Sequence, residues 1–260
     1  MKKKYWVPSI ERADSVLKII NKYPGKYRLI DLSIELDINK SSLFSLLNTL
    51  EVLGWVVKKG NDTYDLGSTL GTFNSTYLKQ FNLIQSFYKE AQKSILKVNE
   101  PIQLGTLEGI DVVYLGKVNN DSNIRLVTDP GMRYPSYASA IGKIQMIDYS
   151  YEEIEEIFSN CKWVQKTDYT TASLSELFDK IKFAKKSGYS VESEESALGF
   201  HCVAAPVYNF EREIIAGVSF SMPTNSWNEK FEKAKDEIIN LSASLSKLAG
   251  CSKGYSERYG

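Results

Sequence analysis

Histidine and cysteine are scarce: His201 is the one histidine in 260 residues, and the cysteines are Cys161, Cys202 and Cys251. A multi-histidine metal site is therefore excluded. The cysteines lie far apart, with neither zinc-knuckle spacing nor the density of a disulfide scaffold, which fits a reducing cytoplasm. No Gly-x-Ser-x-Gly elbow, P-loop or Gly-x-Gly-x-x-Gly fingerprint is present, so hydrolase and nucleotide chemistry lack their usual signatures. No stretch approaches the roughly 20 apolar residues of a membrane helix. The basic start, Met1-Lys2-Lys3-Lys4, leads into no apolar run and does not read as a signal peptide. These absences predict a cytoplasmic protein with no cofactor, no metal and no catalytic residues. A hydrolase built on His201 and Cys202 is the alternative enzyme reading. Neighbours on a strand point to opposite faces, which counts against that pair.

What is present suits two domains. Hydrophobic residues make up 43% and charged residues 25% of the chain, enough for a packed core and too apolar for global disorder. The formal net charge is zero, but it is split: residues 1–70 hold 11 Lys/Arg against 8 Asp/Glu, and residues 71–260 hold 21 against 24. The sign asymmetry favours a nucleic-acid partner for the first part alone.

Apolar spacing predicts a helix from Ser9 to Ile20, with Ser9 as N-cap and Ile10, Ala13, Val16, Leu17 and Ile20 inward. A short helix follows over Ile30–Leu36. A third runs from Lys40 to about Leu53, with Leu43, Leu46, Leu47, Leu50 and Leu53 inward and Gly54 as its C-terminal glycine. Trp55–Lys58 and Thr63–Leu66 then read as a small hairpin around Lys59-Gly60-Asn61-Asp62. Ser68 to Val98 reads as mostly helical and too apolar for a solvated linker. Beyond Pro101 the pattern is mixed. A hairpin turning at Glu108-Gly109 joins Ile102–Leu107 to Ile110–Gly116, and a further strand is expected over Ile124–Val127. Helices are expected over Ala138–Tyr149, Tyr151–Ser159 and Ser173–Ser187. Strands are expected over Tyr189–Glu192, Cys202–Tyr208 and Ile214–Ser221, with a closing helix over Trp227–Leu248.

The third helix buries leucines and turns Lys40, Ser41, Ser42, Phe44, Ser45 and Asn48 outward, as a helix lying in the major groove must. Asparagine reads adenine bidentately and phenylalanine contacts a thymine methyl. Lys58 and Lys59 on the hairpin suit phosphate contacts. Periodicity alone fits an amphipathic helix of another module equally well.

The segment from Glu11-Arg12-Ala13, through Lys40-Ser41-Ser42 and Leu46-Leu47-Asn48-Thr49-Leu50-Glu51-Val52-Leu53-Gly54-Trp55-Val56, to Tyr64-Asp65-Leu66-Gly67 resembles the N-terminal domain of the IclR family of bacterial regulators. Ser45 stands where that family usually has arginine. Gly131 to Lys143, the pair Thr170-Thr171, Gly188 to Val191, Glu194 to Gly199, Cys202 to Val207 and Ser219 to Pro223 resemble the second half of the same family, in order. The resemblance implies an α+β protein: a winged helix-turn-helix over residues 1–67, a linker helix region over 68–98, a GAF-like effector-binding domain over 99–250 and a tail over 251–260. It implies operator DNA and a small-molecule effector as partners, a homodimer or homotetramer, and no membrane association. The ligand-contacting positions it implies are Ala140, Ile141, Glu192, Cys202, Ser219 and Ser221, with Leu198 and Phe200 as an apolar wall.

The residues carry their own argument for a pocket. Ala138, Ser139, Ala140 and Gly142 are small, allowing close approach to a backbone whose helix start favours a carboxylate. Ser219 and Ser221 share one strand face. The same small residues fit tight helix–sheet packing. A small organic, sugar or aromatic acid is the expected effector, and a DNA-binding dimer whose second domain binds nothing is the alternative.

Overall fold

The computed structural model describes residues 6–80, 82–120 and 128–251, and the chain divides into two compact units at Gln80. The strand expected over Ile124–Val127 lies outside the described residues.

In the first unit, helix α1 spans Pro8–Lys22. Pro8 occupies the first helical turn, where its missing N–H is not needed, so Val7 rather than Ser9 is the N-cap. Ala13, Val16 and Ile20 are buried, whereas Ile10 is 65% exposed. At roughly 100° per residue Ile10 falls almost a quarter-turn away from that stripe. Helices α2 (Leu29–Glu35) and α3 (Lys40–Val52) follow, then strands β1 (Val56–Lys58) and β2 (Tyr64–Leu66), paired antiparallel. Leu32, Leu43, Leu47, Leu50, Val56 and Tyr64 close the core over α1. Leu53, expected inward, is 50% exposed because it lies one residue past the end of α3, at the rim of the leucine stripe. Gly54 adopts φ +71°, and a Cβ there would meet Thr69 Oγ1 at 2.5 Å. Gly67 packs as closely on the Gly54 carbonyl, fixing how the hairpin returns to helix α4, Ser68–Gln80.

Asn39 caps α3, its side-chain oxygen accepting from the Ser42 amide at 2.8 Å and the Ser41 hydroxyl at 3.0 Å. Asn39→Ala should therefore cost about 1 kcal/mol of stability. Chemical denaturation of the full chain checks it.

The second unit opens with α5, Leu83–Val98, whose N-cap is Asn82. Residues 68–98 thus form two helices, one in each unit. A six-stranded, wholly antiparallel sheet follows, in the order β5-β4-β3-β8-β7-β6. Its strands are β3 (Ile102–Glu108), β4 (Asp111–Val118), β5 (Arg133–Pro135), β6 (Ser190–Ser193), β7 (Phe200–Tyr208) and β8 (Ile214–Pro223). Strand β5 is a three-residue edge that apolar spacing did not anticipate. One sheet face packs on α5 and on α9 (Thr224–Leu248) through Phe87, Leu104, Val203, Val218, Phe220 and Ile238. The other packs on α6 (Ala140–Gln145), α7 (Tyr151–Phe158) and α8 (Leu174–Ser187) through Ile141, Ile144, Leu177, Ile181 and Ala204.

The helix expected over Ala138–Tyr149 is broken. A 3-10 turn covers Ser136–Ala138, and Ser139 is extended and caps α6 by accepting from the Gly142 amide at 2.9 Å. A serine at this point competes for the backbone and ends one turn while starting the next.

Candidate nucleic-acid interface and ligand pocket

On α3, Lys40, Ser41, Ser45 and Asn48 are exposed, Ser42 is half-buried and Phe44 is 58% exposed. The Ser45 hydroxyl donates to the Ser41 carbonyl at 3.2 Å, and Thr49 Oγ1 donates to the Ser45 carbonyl at 2.9 Å. Lys58 and Lys59 are exposed on the hairpin, but each is ion-paired, with Asp62 at 2.7 Å and Asp65 at 3.0 Å. Exposed pairs contribute only about 0–1 kcal/mol, so phosphate can displace the aspartates.

In the second unit a small cavity of about 50 Å³, partly open to solvent, lies between α6 and the facing strands. It brings together Ser139, Ala140, Ile141, Glu192, Cys202, Ser219 and Ser221. Leu198 and Phe200 are not among its walls. Leu198 is 66% exposed in the turn between β6 and β7, and Phe200 pairs with Pro223 at the far end of β7. Sequence reasoning missed Tyr114, Thr128, Tyr134 and Ser196, which complete the lining. Tyr134 and Ser196 fall inside motifs already singled out, and Tyr114 sits on a strand whose alternation turns it inward; Thr128 carries no such signal.

The polar groups of this cavity differ in their commitments. Ser219 Oγ and Ser221 Oγ both donate to Gln103 Oε1, at 3.1 and 3.0 Å, so the paired hydroxyls present lone pairs rather than free donors. Ser221 Oγ also lies 3.2 Å from Cys202 Sγ. Burial pushes the Cys202 thiol well up, which keeps it protonated and unreactive. Tyr134 donates its hydroxyl to the Ser196 carbonyl at 2.9 Å, and burial pushes its pKa up to about 12. Glu192 is 1% exposed; one oxygen accepts from the Ser196 amide at 2.8 Å. The other oxygen, together with Thr128 Oγ1 and Ser196 Oγ, is buried and has no hydrogen-bond partner among the described residues. Orphaned polar atoms of this kind are uncommon and costly, and three of them meet in one cavity.

Burial raises the pKa of Glu192, against the opposing pull of the Ser196 amide, Lys143 and the neighbouring Cys202 thiol. The folded chain therefore holds this proton more firmly than the unfolded chain does. The stability it contributes is complete below the ordinary carboxylate range and is lost as pH rises through the folded value. Glu192→Gln keeps an acceptor for Ser196 and removes the titration. Its melting temperature should gain on that of the unsubstituted protein as pH rises from acid to neutral, which differential scanning calorimetry reads directly.

Beside the cavity lies a buried ionic cluster. Lys143 Nζ is 2.5 Å from Glu195 Oε1, and Thr171 Oγ1 donates to Glu195 Oε2 at 2.5 Å. Lys180 reaches Glu195 Oε2 at 3.1 Å, and Thr170 Oγ1 donates to the Glu195 carbonyl at 2.7 Å. The motifs containing Lys143, Thr170-Thr171 and Glu195 thus meet in one structural knot. His201 and Cys202 diverge. The His201 ring stacks on Trp227 and its Nε2 meets Thr224 Oγ1 at 3.0 Å, so the pair forms no nucleophile–base couple. No group of three or more metal-ligating side chains occurs among the described residues, and none of their helices is long and apolar enough to cross a membrane.

A helix-turn-helix unit followed by an antiparallel-sheet unit with a pocket is matched by two family models. "IclR helix-turn-helix domain" covers residues 9–60, and "Bacterial transcriptional regulator IclR C-terminal" covers residues 75–247. The chain belongs to the IclR family. It is thus a DNA-binding transcriptional regulator, in a family of regulators rather than enzymes. Among its IclR relatives, the HTH-type transcriptional regulator KdgR of Escherichia coli is 28% identical over 245 residues, covering 92% of both chains. KdgR of Dickeya chrysanthemi is 31% identical over 225 residues, covering 84% of this chain and 74% of the relative. The crystal structure of the Agobacterium tumefaciens repressor BlcR shares the fold with a TM-score of 0.79 at 24% identity, covering 95% of this chain and 99% of that one.

Proposed function

We propose that this regulator acts in the cytoplasm as a homodimer or homotetramer, and that a small organic, sugar or aromatic acid in the cavity sets its affinity for operator DNA. The observation that carries the ligand half is that Glu192, Thr128 and Ser196 line one cavity and each keeps a buried side-chain oxygen without a partner among the described residues. A hydroxylated ligand satisfies all three at once. Lys40, Ser41, Ser42, Phe44, Ser45 and Asn48 make the DNA contact, with Lys58 and Lys59 on the flanking phosphates. Two copies place two α3 helices about 34 Å apart, on successive major-groove faces. The 68–98 segment, with one helix in each unit, is the covalent route by which occupancy of the cavity changes DNA affinity.

Titration against DNA upstream of its own gene tests this, at two salt concentrations, beside a scrambled duplex, with and without gluconate, pyruvate or benzoate. Tight binding to the native duplex alone, altered by one of the acids, is the expected result. Equal weak binding to both duplexes that vanishes at higher salt would reduce the interaction to backbone attraction. An effector at a hundred times its Kd should also raise stability by roughly 2.7 kcal/mol. No stabilisation by any such acid would remove the ligand half of the proposal.

A further inference from the structure

The exposed face of α3 has an unusual chemical content for a surface that meets a polyanion. Ser41 and Asn48 each lie three or four residues from both Phe44 and Ser45, so the four share it. Phe44 is 58% exposed, and further along the helix Val52 is 85% and Leu53 50% exposed. A shallow depression runs between Phe44, Ser45, Asn48, Thr49, Val52 and Leu53. The Ser45 and Thr49 hydroxyl protons are directed back to helix carbonyls, so these groups offer acceptors outward. The Asn48 amide is exposed, with a donor and an acceptor side by side. Lys40, the first residue of the helix, is the one cation in α3.

Base edges sort against this set. Guanine shows two acceptors, N7 and O6, in the major groove, and is read best by the paired donors of arginine or by lysine. No such group stands on the middle of this face, where Ser45 and Asn48 are the polar side chains. Adenine shows an acceptor and a donor, N7 and N6, which an asparagine amide matches in both senses. Thymine adds a methyl group, for which an exposed phenyl ring is an apolar partner.

We infer that α3 reads A·T pairs at the centre of each half-site, with Phe44 packed on a thymine methyl and Asn48 bridging adenine N6 and N7. This rests on the DNA-reading role proposed for α3 and adds which bases it selects. Val52 and Leu53, at the far end of the helix, lie beyond the base-reading half.

The test is selection by the full-length protein from a library of random duplexes, followed by titration of the enriched site carrying single-atom changes. The expected motif has A·T pairs at its most constrained positions. Deoxyuridine at the contacted thymine removes only the methyl group and should weaken binding roughly fourfold. 7-Deazaadenine at the contacted adenine removes N7 and should weaken it about tenfold. The first penalty should vanish in Phe44→Ala and the second in Asn48→Ala. Both substitutions are at exposed positions, and circular dichroism melting confirms that the variants fold. Constrained G·C pairs at the centre, or indifference of the unsubstituted protein to deoxyuridine, would overturn the inference while leaving α3 as the reader. Failure to enrich any motif would overturn the reader assignment as well.

Discussion

Glu195→Gln should lower folding stability by about 3–5 kcal/mol, the range for breaking a buried ion pair by removing one partner. Lys143 has no solvent exposure, and Glu195 is its carboxylate partner at 2.5 Å. Burial already pulls the Lys143 pKa below its usual value, with Glu195 opposing that pull. Without the carboxylate the depression deepens. A lysine whose folded pKa lies below its unfolded one gives a stability that rises with pH over the interval between the two, because the unfolded chain binds more protons there. The deficit of Glu195→Gln should therefore shrink as pH climbs from neutral toward 10. A deficit independent of pH would mean that the loss comes from Thr171 and packing rather than from the stranded ammonium. Lys143→Met is expected to cost less, because Lys180 and Thr171 still satisfy Glu195.

Gly142→Ala should cost on the order of 3 kcal/mol, the upper part of the range for overpacked sites. A Cβ at this position would lie 2.2 Å from the Ser136 carbonyl oxygen and 2.5 Å from Ser136 Cα. Both are backbone atoms, so no rotamer change relieves the overlap. The 3-10 turn and α6 must move apart, carrying Ser139, Ala140 and Ile141 out of the cavity wall. Urea denaturation should show the loss of stability, and the melting shift given by any effector should vanish. An alanine variant as stable as the unsubstituted protein would mean that the turn and α6 are not locked together.

Much of this fold was legible in the residues, for identifiable reasons. The leucine stripe of α3, the hairpin around Gly60-Asn61 and the common face of Ser219 and Ser221 are local patterns, and they appear where local spacing places them. What was not legible depends on residues distant in sequence. Gln103 accepts hydrogen bonds from Ser219 and Ser221 across more than a hundred residues, and spacing does not reveal such a partner. Ile10 and Leu53 satisfy a helical count yet lie at the margins of their stripes, where a small angular drift decides exposure. Pro8 displaced the expected cap because a proline that begins a turn outweighs a serine beside it. Of the eight positions the resemblance implies for the effector site, six line the cavity, joined by Ser139 from the small-residue run. Leu198 and Phe200 do not, because where a turn leaves a strand depends on the length of the hairpin rather than on side-chain type.

Along β8 the residues that face the cavity, Ser219 and Ser221, alternate with Val218 and Phe220, which belong to the cluster shared by Phe87 and Ile95 of α5. Along β7, Cys202 faces the cavity and Val203 the same opposite cluster. The cavity and the seat of α5 are therefore two sides of one partition, a single polypeptide thick. Sheet backbone is stiff in its own plane and yields mainly by twisting. A group that parted Ser221 from Cys202 would shift the same backbone that carries Phe220 and Val203, and close packing would pass that shift to α5.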